Sequence, residues 1–296
     1  MPEQPEANEW REDRYGYIRW ITLPDERWKS SWERIYIPAD TKERLRSYVE
    51  FSLRRRGEFS RIGLPVHGIA LLYGPPGTGK STLARGVAEV VAEDLLALGH
   101  AEETIFAEVD PHALPSQMLG ESQRNTMDLL QKSLPELAAK GRPVIVAIDE
   151  VNTLATRRSM ASGGRDPVDV MRATEAALRG IDYLAATTPN VVILATSNFV
   201  ATIDEAMLDR VDIALELSLP DEETIRSILR DTVSELPESV IEDSDFDTVI
   251  EQLKGRSGRD IRKVVLEAVF TGAPAKGGPL TIGDIELAAG TRRNYV

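Results

Sequence analysis

The stretch Gly74-Pro75-Pro76-Gly77-Thr78-Gly79-Lys80-Ser81-Thr82 has the residue types and spacing to hold a phosphate. Glycines placed this way let a backbone curl until several N–H groups face one anion, and a helix starting at the end of the curl adds its positive pole there. This is P-loop spacing. Lys80 would reach the β- and γ-phosphates, the Ser81 hydroxyl would ligate Mg²⁺, and Thr82 would continue the first helical turn. The apolar run Ile69-Ala70-Leu71-Leu72-Tyr73 supplies the strand such a loop must leave. A second run, Val144-Ile145-Val146-Ala147-Ile148, ends in Asp149-Glu150. Apolar residues without alternation fit a strand buried on both faces of a parallel sheet, and ligands of open α/β sheets gather at the carboxyl ends of the strands. There Asp149 would hold Mg²⁺ through water and Glu150 would polarise an attacking water. The two runs together predict a nucleotide hydrolase.

Positioning these groups requires a sheet, and the pattern supplies one. Further strand candidates are Thr104–Val109, Val191–Thr196 and Ile213–Leu217, alternating with helical stretches, which predicts a five-stranded parallel sheet flanked by helices. Ahead of it, a helix is expected from Thr41 to Arg56, with Leu45, Val49 and Leu53 on one face and Arg54-Arg55-Arg56 solvated at its end. All four tryptophans, Trp10, Trp20, Trp28 and Trp32, fall in a polar lead-in, where packing on the body or on a neighbouring subunit is favoured over a ligand surface. After Pro220 the pattern becomes helical only. It opens with an N-cap at Asp221 followed by acids, and continues through Thr224 to Leu236, Phe246 to Leu253, Ser257 to Phe270 and a last helix from Thr281-Ile282-Gly283-Asp284. The expected division is a lead-in over 1–33, a large α/β domain over 34–219 and a small all-helical lid over 220–296.

Composition narrows the class. With no Cys there is no disulfide framework or thiolate chemistry, and three scattered His give no zinc cluster. No apolar stretch approaches the roughly 18 residues of a membrane span. The opening Met1-Pro2-Glu3-Gln4-Pro5-Glu6 is acidic where a secretory signal is basic, so a cytoplasmic location is expected. A formal charge of -13 argues against general affinity for nucleic-acid phosphates.

The phosphate loop, Ile148-Asp149-Glu150, Ala195-Thr196-Ser197-Asn198 and Gly255-Arg256-Ser257-Gly258-Arg259 resemble, in order and spacing, the AAA+ ATPases. More narrowly, Asp166 to Ala173, Leu178-Arg179-Gly180-Ile181-Asp182, Asn190 to Asn198 and Asp209-Arg210-Val211-Asp212-Ile213 are similar to the pachytene-checkpoint branch, whose members remodel HORMA-domain proteins. The resemblance implies ATP and Mg²⁺ as cofactors and a homohexamer as the working form. It makes Asn198 the polar sensor that orients water or touches the γ-phosphate. Arg210 becomes an arginine finger reaching the ATP of the neighbouring subunit, the alternative being a surface Arg paired with Asp209 or Asp212. Arg259 matches the second sensor, with Arg256 and Arg262 as competing choices. A pore loop would place Met118 and Leu119 where the family usually has an aromatic, and the loop Arg157–Arg165 is either a second pore lining or a solvated turn.

The short lead-in likens the chain to compact bacterial relatives that accompany HORMA proteins and cyclic-oligonucleotide synthases in anti-phage signalling. The implied function is ATP-driven disassembly of a HORMA complex by threading, restraining the synthase. Two alternatives stand beside it: another AAA+ unfoldase or assembly chaperone, and a DNA-handling AAA+ ATPase, which the acidic balance disfavours.

Overall fold

A computed structural model describes residues 9–63, 66–110, 113–114, 121–155, 167–236 and 241–292. The chain forms two compact units, Met1–Tyr73 with Lys80–Glu216, and Gly74–Gly79 with Leu217–Val296.

The first unit is organised by a seven-stranded sheet, two strands more than expected. Its strands are β1 (Arg11–Glu12), β2 (Ile18–Leu23), β3 (Ile69–Tyr73), β4 (Thr104–Val109), β5 (Val144–Ile148), β6 (Val191–Ser197) and β7 (Ile213–Glu216), in the order β1-β2-β4-β5-β6-β3-β7. The last five in this order are mutually parallel. Every residue of β5 and β6 is buried, as unalternated apolar strands require.

The additional strands come from the lead-in. β2 pairs antiparallel with β4 along its whole length, from Ile18 opposite Val109 to Leu23 opposite Thr104, and β1 extends the edge. Tryptophans hold this segment down: Trp28 meets Phe106 edge-on at 4.9 Å, and Trp10 lies 5.9 Å from Trp28. The aromatics therefore pack on the body, as expected.

Helices cover the sheet: α1 (Ala39–Arg61), α2 (Lys80–Ala97), α3 (Glu121–Asp128), α4 (Leu134–Leu137), α5 (Pro167–Thr187) and α6 (Glu205–Leu208). Leu178, Ile181 and Leu184 of α5 share one core with Leu129 and Leu130, Val146, Ile148 and Ile193. Gly180 permits the close approach, since a Cβ there would meet Leu130 Cδ1 at 2.5 Å. Helix α1 runs past the expected end at Arg56, and Arg56 corrects the solvated reading of the arginine run. It is 1% exposed, donating from Nη1 to the His67 carbonyl at 2.5 Å and from Nη2 to that of Thr188 at 3.0 Å.

The second unit holds α7 (Glu222–Ser234), α8 (Asp247–Leu253), α9 (Gly258–Thr271) and α10 (Ile282–Arg292). Local chemistry sets the starts of two of them. The Asp221 side chain accepts the Thr224 N–H, and Ser257 accepts that of Asp260. Ile225, Leu229, Val249, Leu253, Ile261, Val264 and Ile285 form the shared interior. No helix among the described residues is long and apolar enough to cross a membrane.

Candidate functional site

Asp149 and Glu150 leave β5 at its carboxyl end, and parallel pairing sets Ile148 opposite Ala195, so Thr196 is the next residue level with Asp149. Five side chains meet there. The Ser81 hydroxyl, at the start of α2, donates to Asp149 Oδ1 at 2.9 Å, and Thr196 Oγ1 donates to the same oxygen at 2.9 Å. Asn198 Nδ2 donates to Glu150 Oε1 at 3.1 Å. Thr196 Oγ1 also accepts the Glu150 N–H at 3.2 Å.

Glu150 itself is left-handed, with φ 54° and ψ 59°, an uncommon conformation for a residue with a side chain. Its surroundings hold it. The carbonyl takes the Thr153 N–H at 2.8 Å and the Thr153 hydroxyl at 2.9 Å, while the N–H goes to Thr196. Backbone strain of this kind gathers where side-chain aim matters. A cleft of about 360 Å³ ends at Asp149, lined also by Tyr17, Arg19, Arg85, Glu108 and Asp110. Glu108 bridges Arg19 and Arg85, each Nε at 2.7 Å, tying β2 and α2 to β4.

The Ser81 hydroxyl and the Asp149 carboxylate are hard oxygen donors of the sort Mg²⁺ takes alongside water and phosphate. The donor set fits the metal. Lys80 is buried at the first position of α2. In the second unit the loop itself is built from positive-φ glycines, Gly74 at 143°, Gly77 at 80° and Gly79 at 97°. A Cβ on Gly77 would meet Ser257 Oγ at 2.4 Å. The loop also binds the start of α9, where the Arg259 N–H donates to the Gly77 carbonyl at 3.3 Å. Arg259 is exposed, whereas Arg256 donates to the Ala289 carbonyl at 2.7 Å; Arg262 is exposed on the same helix as Arg259.

Arg210 stands in another network. The expected alternative paired it with Asp209 or Asp212, but its partner is Asp182 of α5, in a bidentate pair of 2.7 Å and 2.7 Å, with Nη1 donating to the Ala206 carbonyl at 2.7 Å. This pairing holds the Asp182 carboxyl below its ordinary range and pushes the guanidinium up. Asp212 is occupied elsewhere, accepting the N–H groups of His67, Gly68 and Ile69 at 3.0, 2.7 and 3.1 Å. Those contacts lie at the amino end of β3, whereas Asp149 and Asn198 lie at the carboxyl ends of β5 and β6. The five residues of β3 span about 16 Å. Within one chain, Arg210 precedes β7 and Glu150 follows β5, so they lie toward opposite ends of the parallel strands.

Ser81, Asp149, Glu150 and Asn198 are brought together as the sequence suggests. Met118, Leu119 and the loop 157–165 lie outside the described residues. Two participants escape the sequence reading. Thr196 was readable only through the register of β5 against β6, and Asp182 only through its ion pair with Arg210.

The model of the ATPase family associated with various cellular activities (AAA) matches residues 70–219. CD-NTase-associated protein 6 of Pseudomonas aeruginosa is 39% identical over 260 residues, covering 86% of this chain and 84% of its own. A pachytene checkpoint protein 2 homolog of Arabidopsis thaliana is 34% identical over 223 residues, 75% of this chain; the matched part is 47% of that longer protein. Among solved structures, a chain of the E. coli MS115-1 HORMA:CdnC:Trip13 complex superposes with TM-score 0.80 at 16% identity, covering 95% of this chain and 97% of its own. C. elegans PCH-2 gives 0.76 at 23% identity, covering 97% and 79%. At these identities the structures speak to the fold.

Proposed function

The chain belongs to the AAA ATPases, in the group that holds CD-NTase-associated protein 6 and the pachytene checkpoint proteins, and from that premise we propose that it hydrolyses ATP to take apart a HORMA-domain protein complex. The complex would be one formed with a cyclic-oligonucleotide synthase, held in check until phage infection, in the cytoplasm. The partner assignment is supported by the 39% identity to a CD-NTase-associated protein.

One observation carries the hydrolytic reading: Ser81, Asp149, Thr196, Glu150 and Asn198 form a continuous hydrogen-bonded arc at the strand ends. Mg²⁺, when bound, supplies Lewis-acid neutralisation of the phosphate oxygens. The protein does the positioning. The glycine loop and the first turn of α2 present N–H groups to an anion, Lys80 adds a point charge, and Ser81 and Asp149 hold the metal side. Asn198 occupies Glu150 Oε1 and leaves Oε2 to accept a proton of the attacking water. Arg259 is assigned to the phosphates from the lid and Arg210 to the phosphates of a neighbouring subunit. A homohexamer supplies those neighbours, and Met118 and Leu119 are assigned to grip the threaded substrate.

The test is reconstitution of the full chain with a HORMA protein bound to its synthase. Disassembly should require ATP and Mg²⁺ and should stop in Glu150→Gln. ATP-dependent unfolding of unrelated proteins, with the HORMA complex left whole, would move the assignment to another AAA unfoldase.

A further inference from the structure

Thr196 follows the apolar run Val191-Val192-Ile193-Leu194-Ala195 in β6, just before the buried Ser197, and it is 3% exposed. A hydroxyl in such a place is unfavourable unless both its donor and its acceptor are used. Both are. The backbone N–H of Glu150 occupies a lone pair, so the single hydroxyl proton goes to Asp149 Oδ1, and the direction of the chain N–H to O–H to carboxylate is fixed. Oδ1 also takes the Ser81 hydroxyl. At its other end the same hydroxyl secures a residue in the left-handed region, where L side chains are disfavoured.

We propose that Thr196 is a positioning residue for hydrolysis: one buried hydroxyl fixes the acid that orients the metal and the acid that activates water relative to each other. This rests on the hydrolytic roles assigned above to Asp149 and Glu150. Thr196 acts through its two partners, Asp149 and Glu150. The contrasting possibility is that Thr196 is only a satisfied side chain in the sheet. Valine separates the two, because it has the same shape, suits a buried strand as well or better, and lacks the hydroxyl.

The experiment compares the full-length parent with Thr196→Val, Thr196→Ser and Glu150→Gln. Three quantities are measured: thermal melting without nucleotide, the Mg²⁺ dependence of binding of a fluorescent ATP analogue, and steady-state hydrolysis. Thr196→Val should melt at or above the parent and bind the analogue without Mg²⁺ as the parent does. It should need more Mg²⁺ to reach full affinity and lose about 10–100-fold in kcat with KM little changed, the range typical when a partner behind a metal-orienting group is removed. Thr196→Ser should restore both the Mg²⁺ dependence and kcat. Parental kcat and Mg²⁺ dependence in a folded Thr196→Val would overturn the proposal. Should the valine variant not fold, Thr196→Ala replaces it, and equal turnover by the Ala and Ser variants overturns the proposal equally. Glu150→Gln keeps the two levels apart. If it hydrolyses ATP like the parent, the assignment of Glu150 fails; if it stalls while Thr196→Val does not, only the inference about Thr196 fails.

Discussion

Glu150 and Arg210 make opposite demands on their surroundings. Glu150 needs one carboxylate oxygen free for water, and Asn198 takes only the other. Glu150→Gln keeps the shape and the Asn198 contact but loses a basic acceptor, so nucleotide binding should persist while turnover falls by about 10²–10⁴-fold. Fluorescent-nucleotide binding beside phosphate release checks this, and near-parental release would remove Glu150 from its role. Arg210 is committed in its own chain to Asp182 and to the Ala206 carbonyl, a strand length away from Glu150. The proposed finger role of Arg210 is accordingly one exercised on a neighbouring subunit. Arg210→Ala should spare binding and lower turnover by about 10³-fold or more. The Asp182 carboxylate is 47% exposed, so losing the pair should change folding stability by only about 0–1 kcal/mol. Mixing Arg210→Ala subunits with Glu150→Gln subunits should regain partial turnover where an intact Glu150 meets an intact Arg210. Mixed rings without any regain would exclude action in trans. At this scale the sequence was informative where the chemistry is local: the glycine loop and the acid pair are contiguous, so spacing alone reveals them. Thr196 and Asp182 depend on which strands and helices become neighbours, and no local pattern marks that.

Among elements, the join between α2 and the segment after β2 has a titratable centre. Glu89 of α2 is buried and both its oxygens accept the Asp25 N–H, at 2.9 and 3.0 Å. Loss of water pushes its pKa up to about 7, the Asp25 N–H opposes this, and the charges of Glu93, Asp25 and Glu26 push the same way as burial. A folded pKa above the unfolded value means that the native form binds the proton more tightly. The contribution of Glu89 is then fully present below about pH 4.5, the model-peptide range, and is lost as pH rises through about 7. Relative to Glu89→Gln, the parent should lose on the order of 2–3 kcal/mol between pH 5 and pH 8, read from urea unfolding of both proteins at each pH. Parallel pH profiles would show that Glu89 does not titrate in this window. The same region explains what sequence pattern missed among the elements. β1 is only Arg11-Glu12 and β2 sets Arg19 and Trp20 among apolar residues; β2 is held as a strand by pairing with β4, and β1 by pairing with β2. Arg56 reads as surface charge until the chain returns the carbonyls of His67 and Thr188 to meet it.

For the whole molecule, the parallel core was legible because its strands are largely apolar segments between helical stretches, and burial of β5 and β6 on both faces leaves few other arrangements. Mechanical work is a separate property, since a hydrolytic arc built from strand ends can turn over without moving anything. Met118 is where the proposal separates them. It follows β4 in the sequence, in a segment separate from Lys80, Asp149 and Glu150, and the family resemblance assigns it the pore-loop position usually held by an aromatic. A thioether is apolar and adaptable enough to hold varied side chains, and an indole or phenol offers a larger face. Met118→Ala should therefore leave basal ATP hydrolysis within about twofold of the parent, because no group in the arc is changed, yet abolish disassembly of the HORMA complex. Met118→Trp and Met118→Tyr should keep or raise disassembly at similar hydrolysis, unless the larger ring obstructs the passage. Both rates are to be measured on the same preparation, with the hexamer verified by light scattering. Unchanged disassembly by Met118→Ala in intact hexamers would move the grip to the segment Arg157–Arg165. A parallel loss of hydrolysis and disassembly would instead show that this loop supports the nucleotide site and does not grip the substrate.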